Sequence, residues 1–344
     1  MGKKVLVTGG AGFIGSNLVH LICEQRPDWE VTVIDILSYA GNIKNLDNQI
    51  NSGQIQFIRA DIRDLDQICR IFEQEKFDLV FHLAAESHVD RSIHSAADFV
   101  TTNVLGTQVL LDAARTVEGC RFVHISTDEV YGSLGPEGFF EETTPLDPTS
   151  PYAASKAASD LLVLAAVKTH GLDGVITRCT NNYGPYQFPE KFIPLFITNV
   201  MEDKTLPLYG DGMNVRSWIH VSDHNRALLL VAEKGRAGEV YNIGSEVDGE
   251  KTNKEVAESI VKLLGASTDL IQYVTDRLAH DRRYAVTTQK LSDELGWTPT
   301  IEFNDGIKET LQWYVENENW WREIKSGQYK DFYDKNYSQR LSAS

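Results

Sequence analysis

The chain has 344 residues, 42% of them hydrophobic, so it is long enough to bury one large core or two joined ones. Its formal net charge of −16 argues against a nucleic-acid partner, because phosphates attract a basic surface. No apolar run approaches the roughly 20 residues that span a bilayer, and Lys3 and Lys4 lead into a glycine cluster rather than a signal peptide. We therefore expect a cytoplasmic protein without a membrane partner.

Strand-like apolar segments alternate with segments of helix length through the first half of the chain. They read KKVLVTGG, EVTVIDI, IQFIRADI, LVFHLAA, RFVHISTD and GVITRC. Such alternation predicts a parallel sheet covered by helices on both faces, and the continuous apolar character of the strands fits that burial. Residues 1–180 are thus predicted to form an α/β domain with a Rossmann-type, doubly wound parallel sheet.

The alternation of strand-like and helix-length segments becomes irregular after Cys179, where turn and aromatic residues are frequent. Residues 181–337 are predicted to form a smaller mixed α/β domain that binds the substrate. Roughly residues 215–245 still have the pattern of strand and helix units that could return to the first domain. The polar tail 338–344 is expected to be frayed.

The first strand runs into VTGGAGFIG, which places glycines at 9, 12 and 15 before a helix. Glycines let the backbone approach a pyrophosphate, whose charge then lies at the helix N-terminus. Asp35 ends the second strand, 20 residues after Gly15, where a carboxylate accepts hydrogen bonds from ribose hydroxyls and repels a 2′-phosphate. The pattern favours NAD over NADP; the alternative is a glycine turn that serves packing alone.

Asp61 and Ile62 end the third strand and are placed to meet the adenine, although an ordinary strand-end turn would read the same way.

A second motif, SPYAASK, places Tyr152 and Lys156 four residues apart on one face of a helix. Ser150 and Pro151 are suited to cap and begin that helix. A neighbouring cation stabilises a phenolate, so the lysine is expected to make the tyrosine more acidic.

Two adjacent carboxylates, Asp128 and Glu129, follow Thr127 at the end of the strand in FVHISTDEVYG. Neighbouring carboxylates suppress each other's second ionisation, so the pair offers one acid and one base. Successive strand residues point to opposite faces, so both acids reach one cleft only if the strand has already curled into a loop. A solvated acid pair at a strand end is the alternative.

Together, the glycine loop, Asp35, YAASK and STDEVYG resemble the extended short-chain dehydrogenase/reductase family, in its branch of dTDP-glucose 4,6-dehydratases. AAESHVDRSI, RCTNNYGPYQFPEKFIPL, LPLYGDGMNVRSWIHV, HDRRYA and NENWWREIKSGQYKDFY extend the resemblance over about residues 3–337. Two departures stand out. Ile36 replaces a lysine expected after Asp35, which bears on cofactor affinity, and Leu278-Ala279 replaces a Pro-Gly turn after Arg277.

The resemblance implies an NAD-dependent lyase that converts dTDP-glucose to dTDP-4-keto-6-deoxyglucose, in a pathway to rhamnose or another deoxysugar. It assigns Glu129 as the base that takes the C5 proton, Asp128 as the acid that protonates the leaving C6 hydroxyl, and Tyr152 as the group that takes the O4 proton. Thr127 is expected to hydrogen-bond the C4 oxygen. A homodimer built from helices near 95–116 and 152–170 is implied as well.

The motifs and the resemblance together define two sets of expected contacts. The cofactor contacts are Gly9, Gly12, Phe13, Ile14, Gly15, Asp35, Asp61, Ile62, Ala84, Tyr152 and Lys156. The substrate contacts are Ser87, Asn182, Lys191, Pro207, Tyr209, Arg216, Asn253, Arg277 and Tyr284.

Two other functions stay open. A nucleotide-sugar C4 epimerase or decarboxylase would share the first oxidation, and an NAD-sensing protein would keep the fold without catalysis. No metal site is expected, because the four cysteines (Cys23, Cys69, Cys120 and Cys179) are scattered without ligand spacing. His82, His124 and His220 are expected in the core, and Trp320 and Trp321 are expected to pack a C-terminal helix.

Overall fold

The structure is a computed structural model that describes residues 2–245 and 249–326. The predicted frayed tail and the end of the predicted second domain lie outside these residues. The strands are β1 (Lys4–Thr8), β2 (Glu30–Asp35), β3 (Ile55–Arg59), β4 (Leu79–His82), β5 (Arg121–Thr127), β6 (Asp173–Cys179), β7 (Asn181–Tyr183), β8 (Leu206–Tyr209), β9 (Val215–His220), β10 (Val240–Ile243), β11 (Glu250–Thr252), β12 (Ile271–Val274) and β13 (Arg283–Tyr284).

Helices separate most of the strands. They are α1 (Phe13–Gln25), α2 (Asp47–Asn51), α3 (Leu65–Glu75), α4 (Val89–His94), α5 (Ala96–Phe99), α6 (Gly106–Ala114), α7 (Pro151–His170), α8 (Phe192–Met201), α9 (Val221–Lys234), α10 (Asn253–Leu263), α11 (Gln289–Leu295), α12 (Phe303–Glu316) and α13 (Glu318–Ser326). A π-helical segment, Val100–Leu105, joins α5 to α6, and 3-10 turns occupy Ile43–Leu46, Asp128–Tyr131 and Thr268–Leu270.

Within the described residues, seven parallel strands form the main sheet in the order β3-β2-β1-β4-β5-β6-β10. Buried residues of α1 and α9 pack on one face of this sheet, and those of α3, α6 and α7 pack on the other. The strand order reverses between β1 and β4, and in such sheets ligands bind at the carboxyl ends of the strands beside that reversal. The predicted Rossmann-type fold is confirmed.

A second layer of structure lies beyond β6. Strand β9 pairs with β7, β11 and β13, while β8 pairs with β12. Helices α8, α10, α12 and α13 surround a separate apolar core. Helix α9 and strand β10 join the main sheet, whereas β9 belongs to the smaller one, so residues 215–245 divide between them. The domain boundary near residue 180 stays a prediction.

The two tryptophans near the end of the described chain pack α13 as expected. Trp321 is fully buried and its indole N–H donates to the carbonyl of Tyr314 at 2.9 Å. Trp320 donates to the side chain of Asn45 at 2.8 Å, which ties α13 to the first half of the chain. None of the helices that the structure describes has both the length and the apolar character needed to cross a membrane.

Candidate active site

The turn after β1 requires glycine for two separate reasons. Gly9 has a φ of +69°, and a Cβ there would lie 2.7 Å from the backbone nitrogen of Ala84. A Cβ at Gly15 would lie 2.3 Å from the carbonyl oxygen of Gly9, so glycine lets α1 approach the turn. Gly12 precedes α1 and supplies no side-chain cap. The backbone N–H groups that begin α1 therefore face the cleft, which suits a pyrophosphate.

Asp35 is held by the same turn. Its carboxylate accepts hydrogen bonds from the N–H groups of Ala11 at 3.1 Å and Leu37 at 2.8 Å. Burial raises the pKa of this carboxyl, and the two N–H donors oppose that effect. Asp61, at the end of the next strand, forms a 2.7 Å ion pair with Arg63. Both carboxylates thus keep a defined orientation at the edge of the cleft.

A cavity of about 490 Å³ opens at the carboxyl ends of the strands from β1 to β5. This volume is in the usual range for a small-molecule or cofactor site. All of the predicted cofactor contacts line it: Gly9, Gly12, Phe13, Ile14, Gly15, Asp35, Asp61, Ile62, Ala84, Tyr152 and Lys156. Ile36 lines it too and is 40% exposed, so no side-chain cation stands at that position.

Helix α7 brings Tyr152 and Lys156 to the far wall of this cavity. It begins as the sequence predicted, with the hydroxyl of Ser150 accepting a hydrogen bond from the N–H of Ala153 at 3.1 Å. The ammonium of Lys156 is buried and donates to the carbonyl of Ile125 at 2.7 Å. Burial lowers the pKa of Lys156 to about 8.

The pKa of Tyr152 is raised in the chain without a bound cofactor, whereas the neighbouring lysine was expected to lower it. Burial, and then the charge of Glu129, raise the pKa of the Tyr152 phenol well above 10, although a hydrogen bond with Thr127 opposes this. Forming the phenolate therefore needs more positive charge at the cleft than Lys156 supplies. An oxidised nicotinamide, which is itself cationic, is a group that supplies it.

The two neighbouring acids face one cleft because β5 ends immediately before them. Asp128 and Glu129 belong to a 3-10 turn that follows Thr127, rather than to the extended strand. The hydroxyl of Thr127 accepts from the N–H of Glu129 at 3.3 Å and donates to Asp128 at 3.2 Å. The turn removes the alternation that would point the two acids to opposite faces, and both line the large cavity.

The environment of the pair makes one acid hold its proton. Burial, and then the charge of Glu129, raise the pKa of Asp128 to about 8. The second carboxylate oxygen of Asp128 is buried and, among the described residues, has no hydrogen-bond partner. Burial also raises the pKa of Glu129, but the charges of Arg277, Arg216 and Lys191 oppose it. Burial and the neighbouring charge thus favour the protonated form of Asp128 at neutral pH, whereas three nearby cations favour the ionised form of Glu129.

A second cavity of about 190 Å³ continues from the first. Glu129 lines both, so the acid–base pair stands where the two meet. The predicted substrate contacts line this second cavity: Ser87, Asn182, Lys191, Pro207, Tyr209, Arg216, Asn253, Arg277 and Tyr284.

Three cations gather in the second cavity despite the net charge of the chain. Lys191 donates to the carbonyl of Ser87 at 2.9 Å, and Arg216 lies 4.5 Å from the centre of the Tyr284 ring. Arg277 lies 3.6 Å from the carboxylate of Asp90. Three carboxyl side chains, Asp90, Glu129 and Glu190, line the same cavity. The three cations therefore offer a diphosphate specific ion-pair and hydrogen-bond donors rather than a net positive charge.

The resemblance led us to expect a Pro-Gly pair after Arg277, and this chain has Leu278-Ala279 there. Arg277 nevertheless lines the second cavity. Leu278 is 73% exposed and points away from the core. Ala279 adopts a φ of +51°, a left-handed conformation that glycine adopts more readily. The chain therefore keeps the turn at the cost of backbone strain.

Sequence reasoning missed several residues that the fold brings to these cavities. Asp90 accepts a hydrogen bond from the Tyr209 hydroxyl at 3.0 Å, and Gln187 donates to the backbone of Asn182 at 2.9 Å. Asp90 lies inside AAESHVDRSI, one of the segments on which the family resemblance depends, so the sequence contained a signal for this residue. Arg63 lines the first cavity. No sequence signal marked it, because nothing in the neighbouring sequence distinguishes it from an ordinary surface cation.

Comparison with known proteins gives a consistent result. The family model described as GDP-mannose 4,6 dehydratase matches residues 6–310. A dTDP-glucose 4,6-dehydratase of Streptomyces niveus is 53% identical over 327 residues, covering 94% of this chain and 96% of that protein. One of Neisseria meningitidis is 48% identical, covering 95% and 98%.

Solved structures agree with this result. The dTDP-glucose 4,6-dehydratase of Streptomyces venezuelae, crystallised with NAD and TYD, has a TM-score of 0.90 and 50% identity over 94% of this chain and all of that one. A UDP-glucose 4-epimerase of Thermotoga maritima has a TM-score of 0.85 at 30% identity, over 92% and 99%. The chain therefore belongs to the GDP-mannose 4,6 dehydratase family, a branch of the extended short-chain dehydrogenase/reductases.

Proposed function

We propose that this protein is an NAD-dependent hydro-lyase that converts dTDP-glucose to dTDP-4-keto-6-deoxyglucose. The observation that carries the proposal is the acid pair at the meeting point of the two cavities, with Asp128 protonated at neutral pH beside Glu129. Elimination of water needs one group in each protonation state, which this pair provides. The names of the similar proteins favour the same activity.

The residues of the large cavity suit NAD. The turn at Gly9 and Gly15 leaves no room for a Cβ, and the uncapped start of α1 presents N–H groups for the pyrophosphate. Asp35 would accept hydrogen bonds from the adenosine ribose, and Asp61 and Ile62, which line the same cavity, would contact the adenine. When bound, NAD supplies reversible two-electron chemistry: a hydride leaves C4 of the sugar and is later delivered to C6.

The oxidation at C4 needs a base for the proton on O4, and Tyr152 fills that role. Burial raises the pKa of the Tyr152 phenol, and positive charge from Lys156 and from a bound oxidised nicotinamide would stabilise its phenolate. The side chain of Thr127 forms a hydrogen bond with that of Tyr152. The Thr127 hydroxyl would therefore also hydrogen-bond the C4 oxygen of the sugar. The product of this half-reaction is a 4-ketone, which makes the neighbouring C5 proton acidic.

The elimination then uses the acid pair. Glu129 takes the C5 proton, the electrons of that bond form the C5–C6 double bond, and the C6–O bond breaks as Asp128 donates its proton to the leaving hydroxyl. Water departs. Glu129 returns its proton to C5 when C6 is reduced, so the cofactor ends in its original state. Each positioned proton transfer contributes about 10²–10⁴-fold to the rate.

The nucleotide portion of the substrate belongs in the second cavity. Lys191, Arg216 and Arg277 are the groups suited to the diphosphate, and Pro207 and Tyr209 line the same cavity and would contact the pyrimidine. Neutral partners on the same walls are Ser87, Asn182, Asn253 and Tyr284.

An isotope experiment separates the candidate functions. Purified protein is incubated with dTDP-glucose carrying deuterium at C4, and the product is analysed by mass spectrometry and NMR. Deuterium recovered at C6 of a 4-keto-6-deoxy sugar supports dehydration. Formation of dTDP-galactose would instead establish an epimerase, and unchanged substrate with NAD bound would establish a sensing protein.

The assignment of the base is tested by Glu129→Gln. The amide cannot accept the C5 proton, so the variant is expected to reduce bound cofactor but to dehydrate at least about 100-fold more slowly. The measurement is the absorbance of reduced nicotinamide together with product formation. Dehydration at the rate of the unmodified protein would refute the role of Glu129.

The assembly and location are part of the same proposal. A homodimer would bury exposed apolar side chains on the segments named from the sequence, since Val100, Leu105 and Leu161 are each at least half exposed. We also infer a cytoplasmic location, which fits a nucleotide-sugar substrate. Sedimentation of the purified protein tests the dimer.

A further inference from the structure

The turn that carries the acid pair is attached to the sheet through the hydroxyl of Tyr131. This hydroxyl donates to the side-chain oxygen of Asn242 on β10 at 2.8 Å and accepts from the guanidinium of Arg178 on β6 at 2.9 Å. Arg178 also lies over the Tyr131 ring, 4.8 Å from its centre. All three residues are buried.

The same network reaches the helix that carries the tyrosine and lysine of the site. Arg178 donates to the carboxylate of Asp160 at 2.9 Å, and both of these side chains are buried. Asp160 follows Lys156 by one turn of α7. The hydroxyl of Tyr131 therefore joins the acid–base turn, two strands of the main sheet and α7 in one hydrogen-bonded unit.

The carboxylates themselves contribute little to holding the turn. Among the described residues, neither Asp128 nor Glu129 forms an ion pair within 4.0 Å, and Asp128 bonds only to Thr127 beside it. The carbonyl of Val130 accepts from the N–H of Asp147 at 3.1 Å, which attaches the backbone of the turn to a neighbouring loop. The N–H of Gly132 donates to the carbonyl of Glu129 at 3.3 Å and only closes the turn itself.

We propose that Tyr131 is a positioning residue for the elimination step. Resting on the proposed function, the inference is that its hydroxyl keeps Asp128 and Glu129 in register with the substrate bound against α7, while the C4 oxidation does not depend on it. Tyr131 follows Glu129 by two residues in the same short turn, so loosening it displaces the acids directly. Displacements of about 1 Å from catalytic geometry cost as much as 100-fold in rate.

Tyr131→Phe removes the hydroxyl and leaves the ring stacked on Phe140, whose centre lies 5.0 Å away. A matched control is Tyr241→Phe. Tyr241 is also fully buried, lies next to Asn242 on β10, and donates to Glu294 at 2.9 Å, away from both cavities. Each variant loses one phenol hydroxyl that donates one hydrogen bond and accepts another, since the hydroxyl of Tyr241 also accepts from the N–H of Arg236 at 3.2 Å.

With dTDP-glucose, the Tyr131→Phe variant is expected to reduce bound cofactor at a normal rate and to eliminate water about tenfold more slowly. Reduced nicotinamide then accumulates during turnover, which Tyr241→Phe should not cause. In the absence of substrate, hydrogen–deuterium exchange of the peptide covering residues 128–134 should be faster in Tyr131→Phe than in the control.

Equal exchange and equal kinetics in the two variants would overturn the proposal, as would a parallel loss of oxidation and elimination. If Tyr131→Phe does not fold, Asn242→Ala removes the acceptor of the same hydrogen bond and is measured in its place, with the same expected outcomes. The failure of the proposed function looks different, because the unmodified protein would then produce no 4-keto-6-deoxy sugar.

Discussion

The protonated state of Asp128 should be visible in the stability of the folded protein, independently of catalysis. The folded chain holds this proton up to a pH of about 8, whereas an ordinary aspartic acid releases it near 3.8. Between these values unfolding releases a proton, so the folded state loses stability as the pH rises. At 1.36 kcal/mol for each pH unit, the loss between pH 5 and pH 7 is about 3 kcal/mol.

Asp128→Asn keeps the shape of the side chain and removes its ionisation. We expect this variant to lose about 3 kcal/mol less unfolding free energy than the unmodified protein between pH 5 and pH 7. It should also lose at least about 100-fold in dehydration, because the amide cannot protonate the leaving hydroxyl. Urea unfolding followed by tryptophan fluorescence at several pH values measures the first effect, and product formation measures the second.

The control is Asp305→Asn, which makes the same chemical change at a side chain that is 73% exposed. It should leave the pH dependence of stability unchanged. If Asp128→Asn and the unmodified protein have parallel stability curves between pH 5 and pH 7, Asp128 is ionised in the folded chain and cannot be the acid.

Three further outcomes are expected. Because burial lowers the pKa of Lys156 to about 8, the rate of cofactor reduction should fall as the pH rises through about 8, and stopped-flow absorbance should show no such fall in Lys156→Met. Gly15→Ala places a methyl group 2.3 Å from the carbonyl of Gly9 and should weaken NAD binding at least about tenfold in a fluorescence titration, since α1 has to move; unchanged affinity would contradict the role of the turn. Ala279→Gly relieves the strain of a φ of +51° and should raise the unfolding free energy by about 1 kcal/mol. The control Ala237→Gly, at an exposed position without positive φ, should not raise it. Equal changes in unfolding free energy would argue against strain at residue 279.

Much of the site could be predicted because its signals are local. The glycine turn and the cap at Ser150 each depend on residues a few positions apart, and Asp35 follows Gly15 by 20. The glycine turn and Asp35 lie at the carboxyl ends of β1 and β2, and Ser150 caps α7. The adjacency of Asp128 and Glu129 is covalent and needs no fold. Whether the two side chains face the same cleft depends on the fold, because both reach it only if β5 ends at Thr127.

Other features have partners too distant in sequence to be predicted. Asp90 meets Tyr209 across 119 residues, and Tyr131 meets Asn242 across 111. The spacing of Tyr152 and Lys156 likewise says nothing of the burial and of the Glu129 charge that raise the pKa of Tyr152 in the chain without a bound cofactor. Local spacing does not reveal how much water a group loses on folding.

The sequence by itself determined where the chain turns, where helices begin and which chemical groups stand next to one another, because those features depend on steric and hydrogen-bonding rules within a few residues. The tertiary structure decided how strongly the surroundings of Asp128 favour its protonated form and how three cations come to line one cavity of an acidic protein. Both depend on desolvation and on charges that arrive from remote parts of the chain, as Arg216 and Arg277 do beside Glu129.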